Sequence, residues 1–348
     1  MKRMQTWRWV LAALLLAMGM TTAGRAEEFA IQSLGVGRLT FNEAATTGTY
    51  RVEWAPSPTG PWTNTWKALA TIVAKGSGIV TCTVPMCYRV VATVTNAPSG
   101  MVRIPAGTNA GTDPDFGTYS LTVEAFCMDR YEVTMAQWDE VYAWAVAHGY
   151  SFDSEGGAKG WYHPVYTVNW YDCVKWCNAR SQKEGRTPCY TVGGNVYMTG
   201  QSAPNCNFAA NGYRLPTNTE WSYAARGGLS GQRFPWGDTI THSHANYYSS
   251  SAYSYDTSPT RGYHPDYVDG DGIPRYTSPA GSFAANGYGL YDMAGNVSEW
   301  CWDWELGSDQ PIRGGNFSYD AFDARCGFRL WAPPDFDGFD YGFRTVCR

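Results

Sequence analysis

The stretch NGYGLYDMAGNVSEWCWDW, Asn286 to Trp304, holds the densest set of residues that could do chemistry. Its apolar positions follow neither a helical nor a strand period, which suits an irregular backbone fixed by glycine turns and large aromatic anchors. Within it, Ala294-Gly295-Asn296-Val297-Ser298-Glu299 could turn several main-chain carbonyls toward one point, with the Glu299 carboxylate beside them. Calcium and other hard cations take this mixture of carbonyl and carboxylate oxygens. The competing reading of Glu299 is a buried acid paired with an arginine such as Arg313. Other patterns are weaker. His242-Ser-His244 has no neighbouring cysteine or carboxylate motif and reads as a surface loop. Neither a Gly-x-Ser-x-Gly elbow nor an HExxH helix occurs. Asn296-Val-Ser and Asn316-Phe-Ser fit the glycosylation pattern, but so short a motif arises often by chance.

The elements that must position these residues are few. MVRIPAG (Met101–Gly107) reads as an edge strand entering a turn, and FCMDRYEVT as a second strand. Thr134 with Gln137 forms a capping box, opening a helix whose buried face is Trp138, Val141, Tyr142 and Ala145 and which Gly149 ends. A second helix covers Trp170–Lys183, with Trp170, Cys173, Val174 and Cys177 on one face. Thr217 with Glu220 opens a third, followed by Trp221, Ala224 and Ala225 and closed by Gly227-Gly228. The rest is mostly loop. Before all of this, residues 27–97 read as a small fibronectin-like β-sandwich. Thr49–Ala55 is one strand, Gly60-Pro61-Trp62 a turn, and GIVTCTV and MCYRVVATV two β-rich runs broken by Pro85. Asn96–Gly100 is a natural linker.

The chain has 348 residues, enough for one large domain or two smaller ones. It opens with Lys2, Arg3 and Arg8, then an apolar run from Val10 to Met20 and small residues to Ala26. Residues 1–26 therefore read as a signal peptide cut after Ala23 or Ala26, which places the protein outside the cytoplasm, secreted or periplasmic. The run is too short to span a bilayer comfortably, and no cysteine follows it to carry a lipid. All ten cysteines lie beyond the signal, an even count that favours disulfides. Cys189 and Cys206 bracket a hairpin insertion, Cys82 and Cys87 could pair locally, and Cys301 with Cys326 is a further possibility. Without the signal the chain stands at roughly −9, with no basic run, so nucleic acid is not an expected partner. Sixteen tryptophans and 24 tyrosines suit a surface that holds peptides or glycans, or simply a core filled with large rings.

Eight ordered motifs, MVRIPAG, FCMDRYEVTMAQW, HPVYTVNWYDCVKWC, YRLPTNTEWSYAARGG, FPWGD, NGYGLYDMAGNVSEW, RGGNF and GFRTVC, make residues 101–348 resemble the formylglycine-generating enzyme, or sulfatase-modifying factor, family. The resemblance implies an α+β fold low in regular secondary structure, an elaborated C-type-lectin-like domain. It also implies an activity: oxygen-dependent conversion of a client sulfatase cysteine to formylglycine, with copper(I) held by two cysteines. Soft thiolates select Cu(I). In the family those cysteines follow RGGS. Here the run Asn316–Arg325 contains none: Tyr319 stands at the first position, the second falls near Phe322–Ala324, Cys326 matches a later structural cysteine, and Asn316 replaces the serine. Copper is therefore not expected, nor formylglycine generation by the known route, unless Cys326 and Cys301 were to act together. The resemblance further implies structural calcium at two sites. One uses the carbonyls of Ala294, Gly295 and Val297 with the Glu299 side chain. The other uses Asn246, the Tyr247 carbonyl and Asp271, with Asp269 as the fallback. It also implies a Cys177–Cys347 disulfide, which leaves Cys127 and Cys173 over, and a structural role for His163-Pro164. The expected function is binding of a peptide or glycan in the family cleft, lined by Trp300, Arg313, Asn316, Phe317, Tyr319 and Asp320. The alternatives are an oxidoreductase using non-standard residues and a structural or surface-attachment role.

Overall fold

The structure, a computed structural model, describes residues 97–268, 276–303 and 309–348 in full, and four backbone strands of the preceding chain. The chain forms two compact units, Met1–Asn96 and Ala97–Arg348. In the first, β1 (Ile31–Gly35) pairs antiparallel with β2 (Arg38–Phe41). There too, β3 (Gly48–Ala55) pairs antiparallel with β4 (Cys87–Val94), running from Gly48↔Val94 to Ala55↔Cys87. The β-branched and aromatic content of TYRVEWA and CYRVVATV accounts for these strands. The expected signal peptide, the turn at residues 60–62 and Cys82 lie outside the described residues.

The second unit runs β5 (Met101–Ile104), β6 (Gly107–Asp113), β7 (Gly117–Val123), β8 (Phe126–Asp129), α1 (Met135–Ala147), α2 (Trp170–Lys183), β9 (Tyr190–Val192), β10 (Asn195–Val196), β11 (Asn205–Cys206), α3 (Asn218–Ala225), β12 (Ser298–Trp300), β13 (Gln310–Arg313), β14 (Leu330–Ala332), β15 (Tyr341–Gly342) and β16 (Val346–Cys347). Helices and short antiparallel sheets with long loops make it α+β. Two sheets matter for the site: β16-β8-β5, in which MVRI is indeed an edge strand, and β14-β13-β12-β15, in which β15 runs parallel to β12. The Cys189–Cys206 insertion is a three-stranded piece. Its β9–β10 hairpin turns on Gly193-Gly194 at φ 57° and 82°, the left-handed conformation that a two-residue loop demands.

The helix starts follow from their caps. Thr134 and Gln137 exchange side-chain and backbone bonds ahead of α1, Thr217 and Glu220 do so ahead of α3, and the Asn169 side chain accepts the Asp172 N–H ahead of α2. Trp138, Val141 and Ala145 are buried on α1, while Tyr142 is half-exposed beside Trp138. α2 departs from the one-faced reading. It is buried on nearly every side, Asp172, Lys175, Asn178 and Arg180 included. Its charges are tolerated because they are paired, Lys175 with Asp172 at 3.0 Å and Arg180 with Asp129 at 2.9 Å. Trp176 stacks on Trp138 at 6.1 Å and meets the Phe343 edge at 5.3 Å. Many of the aromatic rings thus fill the core. Among the described residues no helix is long and apolar enough to cross a membrane.

The eight described cysteines are free thiols. The Cys177–Cys347 pairing is corrected: Cys347 lies opposite Cys127 in the β16–β8 ladder, because GFRTVC returns alongside FCMD rather than against α2. Cys177 sits instead in the interior near Cys189.

Candidate functional site

Residues 294–299 turn sharply before entering β12. Gly295 has φ 79°, and a Cβ there would collide with the Asn246 carbonyl, so only glycine fits. Asn296 follows at φ 65° and is the organising side chain. Its Nδ2 donates to Glu132 Oε2 at 2.6 Å, its Oδ1 accepts from Ser278 N at 2.8 Å, and its N–H donates to the Asn246 carbonyl at 2.9 Å. Asn296 and Asn316 are each 1% exposed, which excludes both as glycosylation sites in the folded chain.

Glu299 is fully buried. Arg344 grips it with Nε at 2.8 and 2.9 Å and Nη2 at 2.7 Å, and Trp221 Nε1 donates to it at 2.7 Å. The arginine partner is therefore Arg344, not Arg313. Arg313 does face Glu299 in the β12–β13 register, but its Nε goes to Asn218 Oδ1 at 2.5 Å and its Nη1 to the Phe328 carbonyl at 2.6 Å. Two more acids share this interior. Glu132 accepts from Asn296 and from Val297 N, and Asp292 accepts from Gly281 N at 2.6 Å with Oδ2. Burial, then Asp292 and Glu299, push the Glu132 carboxyl well above the carboxylate range, and burial pushes Asp292 up to about 6. Asp292 Oδ1 is buried and has no hydrogen-bond partner. Three carboxyls thus face one guanidinium, with an orphaned hard oxygen among them. That donor chemistry fits a hard cation better than a soft one. Among the described residues no three His, Cys, Asp or Glu side chains converge as a metal cluster, so main-chain carbonyls would have to complete any coordination. Sequence reasoning passed over Asp292, Glu132 and Arg344. The signal for Arg344 was present in GFRTVC, but not its partner.

At the second expected cation site, Asn246 is buried, its Nδ2 donates to the Tyr276 carbonyl at 3.0 Å, and the Tyr247 carbonyl lies 3.2 Å from His242 Nε2. Asp269 and Asp271 fall outside the described residues. His242 is not on the surface: it is buried, bonded to Thr260 and tilted against His264 at 5.0 Å. His163 bonds Thr277 at 2.9 Å.

The expected cleft lining is also revised. Trp300, Arg313, Asn316 and Phe317 are interior. Trp300 Nε1 donates to the Val168 carbonyl at 3.0 Å, and Asn316 Oδ1 accepts from Ser318 N and Tyr319 N, fixing the turn after RGG. Tyr319 and Asp320 remain half-exposed. Around them the structure gathers a group the sequence did not suggest. The Tyr319 phenol lies beside Tyr341, and Tyr253 lies beside Asp320. Ser318 Oγ donates to Asp340 at 3.2 Å, and Phe317 packs on Phe339 at 6.2 Å. Burial and the neighbouring Asp320 push the Asp323 carboxyl up to about 6. Phe339 and Tyr248, 60% and 37% exposed, form the aromatic rim. Among the described residues no cysteine enters this group. Cys301 and Cys326 sit in the core beneath α3, and burial pushes the Cys326 thiol up to about 12 and Cys301 well above the usual range. A thiol held protonated by its surroundings is a poor copper ligand.

A family model described as the sulfatase-modifying factor enzyme 1-like domain matches residues 88–348. The chain is 31% identical over 270 residues to the chaperone protein LppX of Paenibacillus barcinonensis, covering 72% of this chain and 90% of that protein. It is 33% identical over 235 residues to the formylglycine-generating enzyme of Thermomonospora curvata, covering 59% and 71%. The solved structure of CarF superposes with a TM-score of 0.56 at 28% identity, covering 72% of this chain and 98% of that one. The whole of the second unit falls within the family match, and the chain belongs to the sulfatase-modifying factor enzyme 1-like family.

Proposed function

We propose that this protein is an exported family member that does not generate formylglycine by the copper route and that uses the Tyr319–Asp323 patch to hold a polypeptide segment. The carrying observation is the chemistry of that patch: phenols and carboxyls stand where two thiolates would be needed, and the nearest described cysteines are core thiols. Aromatic rings with hydrogen-bonding carboxyls suit an extended peptide. The relative LppX is named a chaperone, which favours a polypeptide over a glycan as the ligand. Calcium is proposed as a structural ion at the carbonyls of Ala294, Gly295 and Val297 with Asp292 and Glu299. A second ion is proposed at Asn246, Tyr247 and Asp271.

The test combines two assays on the purified full chain. Incubation with copper and a Cys-x-Pro-x-Arg peptide is expected to leave the peptide cysteine unoxidised by mass spectrometry. A peptide array is expected to give binding that Tyr319→Ala with Asp323→Asn abolishes. Oxidation of the peptide, or binding confined to a glycan array, refutes the reading. For calcium, chelation is expected to lower the melting temperature and added calcium to restore it. An unchanged melt refutes the ion at both sites.

A further inference from the structure

We propose that Cys127 and Cys347 are a disulfide-forming pair that clasps β16 to β8 and so fixes Arg344 against Glu299. The two residues are directly opposed in an antiparallel register, Val346 facing Met128 and Cys347 facing Cys127. Facing residues of such a pair have Cα atoms about 4.5–5.5 Å apart, inside the range of roughly 4.4–6.8 Å that a disulfide spans. Both are buried, and each thiol is close enough to perturb the other's protonation. A third sulfur, Met101 Sδ, lies 3.7 Å from Cys347 Sγ. Arg103 faces Cys127 from β5 and Arg186 lies near both thiols. The neighbouring Cys347 thiol, then these cations, hold the Cys127 thiol below the usual cysteine range, at about 7. That favours the thiolate form that begins exchange.

The chemistry needs an external disulfide, for which oxidised glutathione serves as the probe. The Cys127 thiolate attacks one glutathione sulfur, the glutathione S–S bond breaks and one glutathione leaves as thiol. The Cys347 sulfur then attacks Cys127 Sγ, releasing the second glutathione thiol. The two protein thiols lose two electrons, and the two protons end on the glutathiones. The consequence is local and specific. Between Arg344 and Cys347 the strap is already held by Thr345 N and Oγ1 on Asp129 Oδ2, at 3.0 and 2.6 Å, and by paired Val346–Arg214 backbone bonds at 2.8 and 2.9 Å. A covalent tie at its end removes the remaining freedom of the segment that carries Arg344.

The full chain is equilibrated in a reduced–oxidised glutathione buffer, alkylated, digested without reductant and mapped by mass spectrometry. The expected result is a linked Cys127–Cys347 peptide. Reduction should lower the melting temperature by roughly 5–10 °C. Cys347→Ser should show the lower value and lose its response to reductant. The proposal is overturned if both cysteines are recovered alkylated under oxidising conditions, or if Cys347 is found linked to Cys177. The mapping of the unmutated chain decides even where Cys347→Ser does not fold.

Discussion

Replacing Arg344 by methionine gives the sharpest test of the buried network. Arg344 donates three bonds of 2.7–2.9 Å to Glu299, and further bonds to the carbonyls of Asp129, Arg130 and Tyr291 at 3.3, 3.4 and 2.9 Å. Methionine fills much of the same volume but strands a fully buried carboxylate on Trp221 Nε1 alone. Breaking one side of a buried pair costs roughly 3–5 kcal/mol. The reverse change, Glu299→Gln, should cost less, roughly 1–2 kcal/mol, because Arg344 keeps its three carbonyls and glutamine still accepts from Trp221. The two single variants and the double variant are compared by urea unfolding followed by circular dichroism. The double variant should be more stable than the sum of the singles by about 1–3 kcal/mol. If Arg344→Met falls within 1 kcal/mol of the unmutated protein, or the coupling is zero, the pair does not organise this interior.

Asp323 has its pKa raised from 3.8 to about 6 in the fold, so its contribution is present below about pH 4 and lost as pH rises through 6. Asp323→Asn should shrink the loss of stability between pH 4 and 6.5 by about 1 kcal/mol, since water screens this part-exposed group, and an unchanged pH profile would contradict the assignment. Gly295→Ala should destabilise by roughly 1–3 kcal/mol through the left-handed backbone and the Asn246 carbonyl; a neutral outcome in thermal melts would show that the turn relaxes. Thr217→Ala should cost about 1 kcal/mol by uncapping α3, read by the same melts, and Thr217→Asn should restore most of it.

Local chemistry was legible in the sequence. The capping boxes at Thr134 and Thr217 marked where α1 and α3 begin, and α2 was legible at both ends, because an N-cap is decided within four residues. Partners across the fold were not. Arg313 is the right neighbour for Glu299 by register, yet its side chain bends to Asn218, and the true partner comes from the parallel side 45 residues away. Asp292 drew no reading from the sequence, although burial and a positive φ of 54° make it part of the interior. Trp300, Arg313, Asn316 and Phe317 looked like cleft residues because large rings and polar groups serve a cleft and a saturated core equally well. Periodicity missed the all-round burial of α2 because its charges are neutralised in the interior, Lys175 by Asp172 one turn away and Arg180 by Asp129 from β8.

The sheet β16-β8-β5 joins residues 101–104 and 126–129 to residues 346–347, and Thr345 reaches Asp129 across 216 positions. Such distant pairing raises contact order and slows folding. Glu299 therefore stays without its guanidinium until residues 344–347 have joined the sheet, whereas Asp129 already has Arg180. The waiting intermediate, with the Glu299 acid unpaired and the β8 edge bare, is the species that cellular quality control would meet.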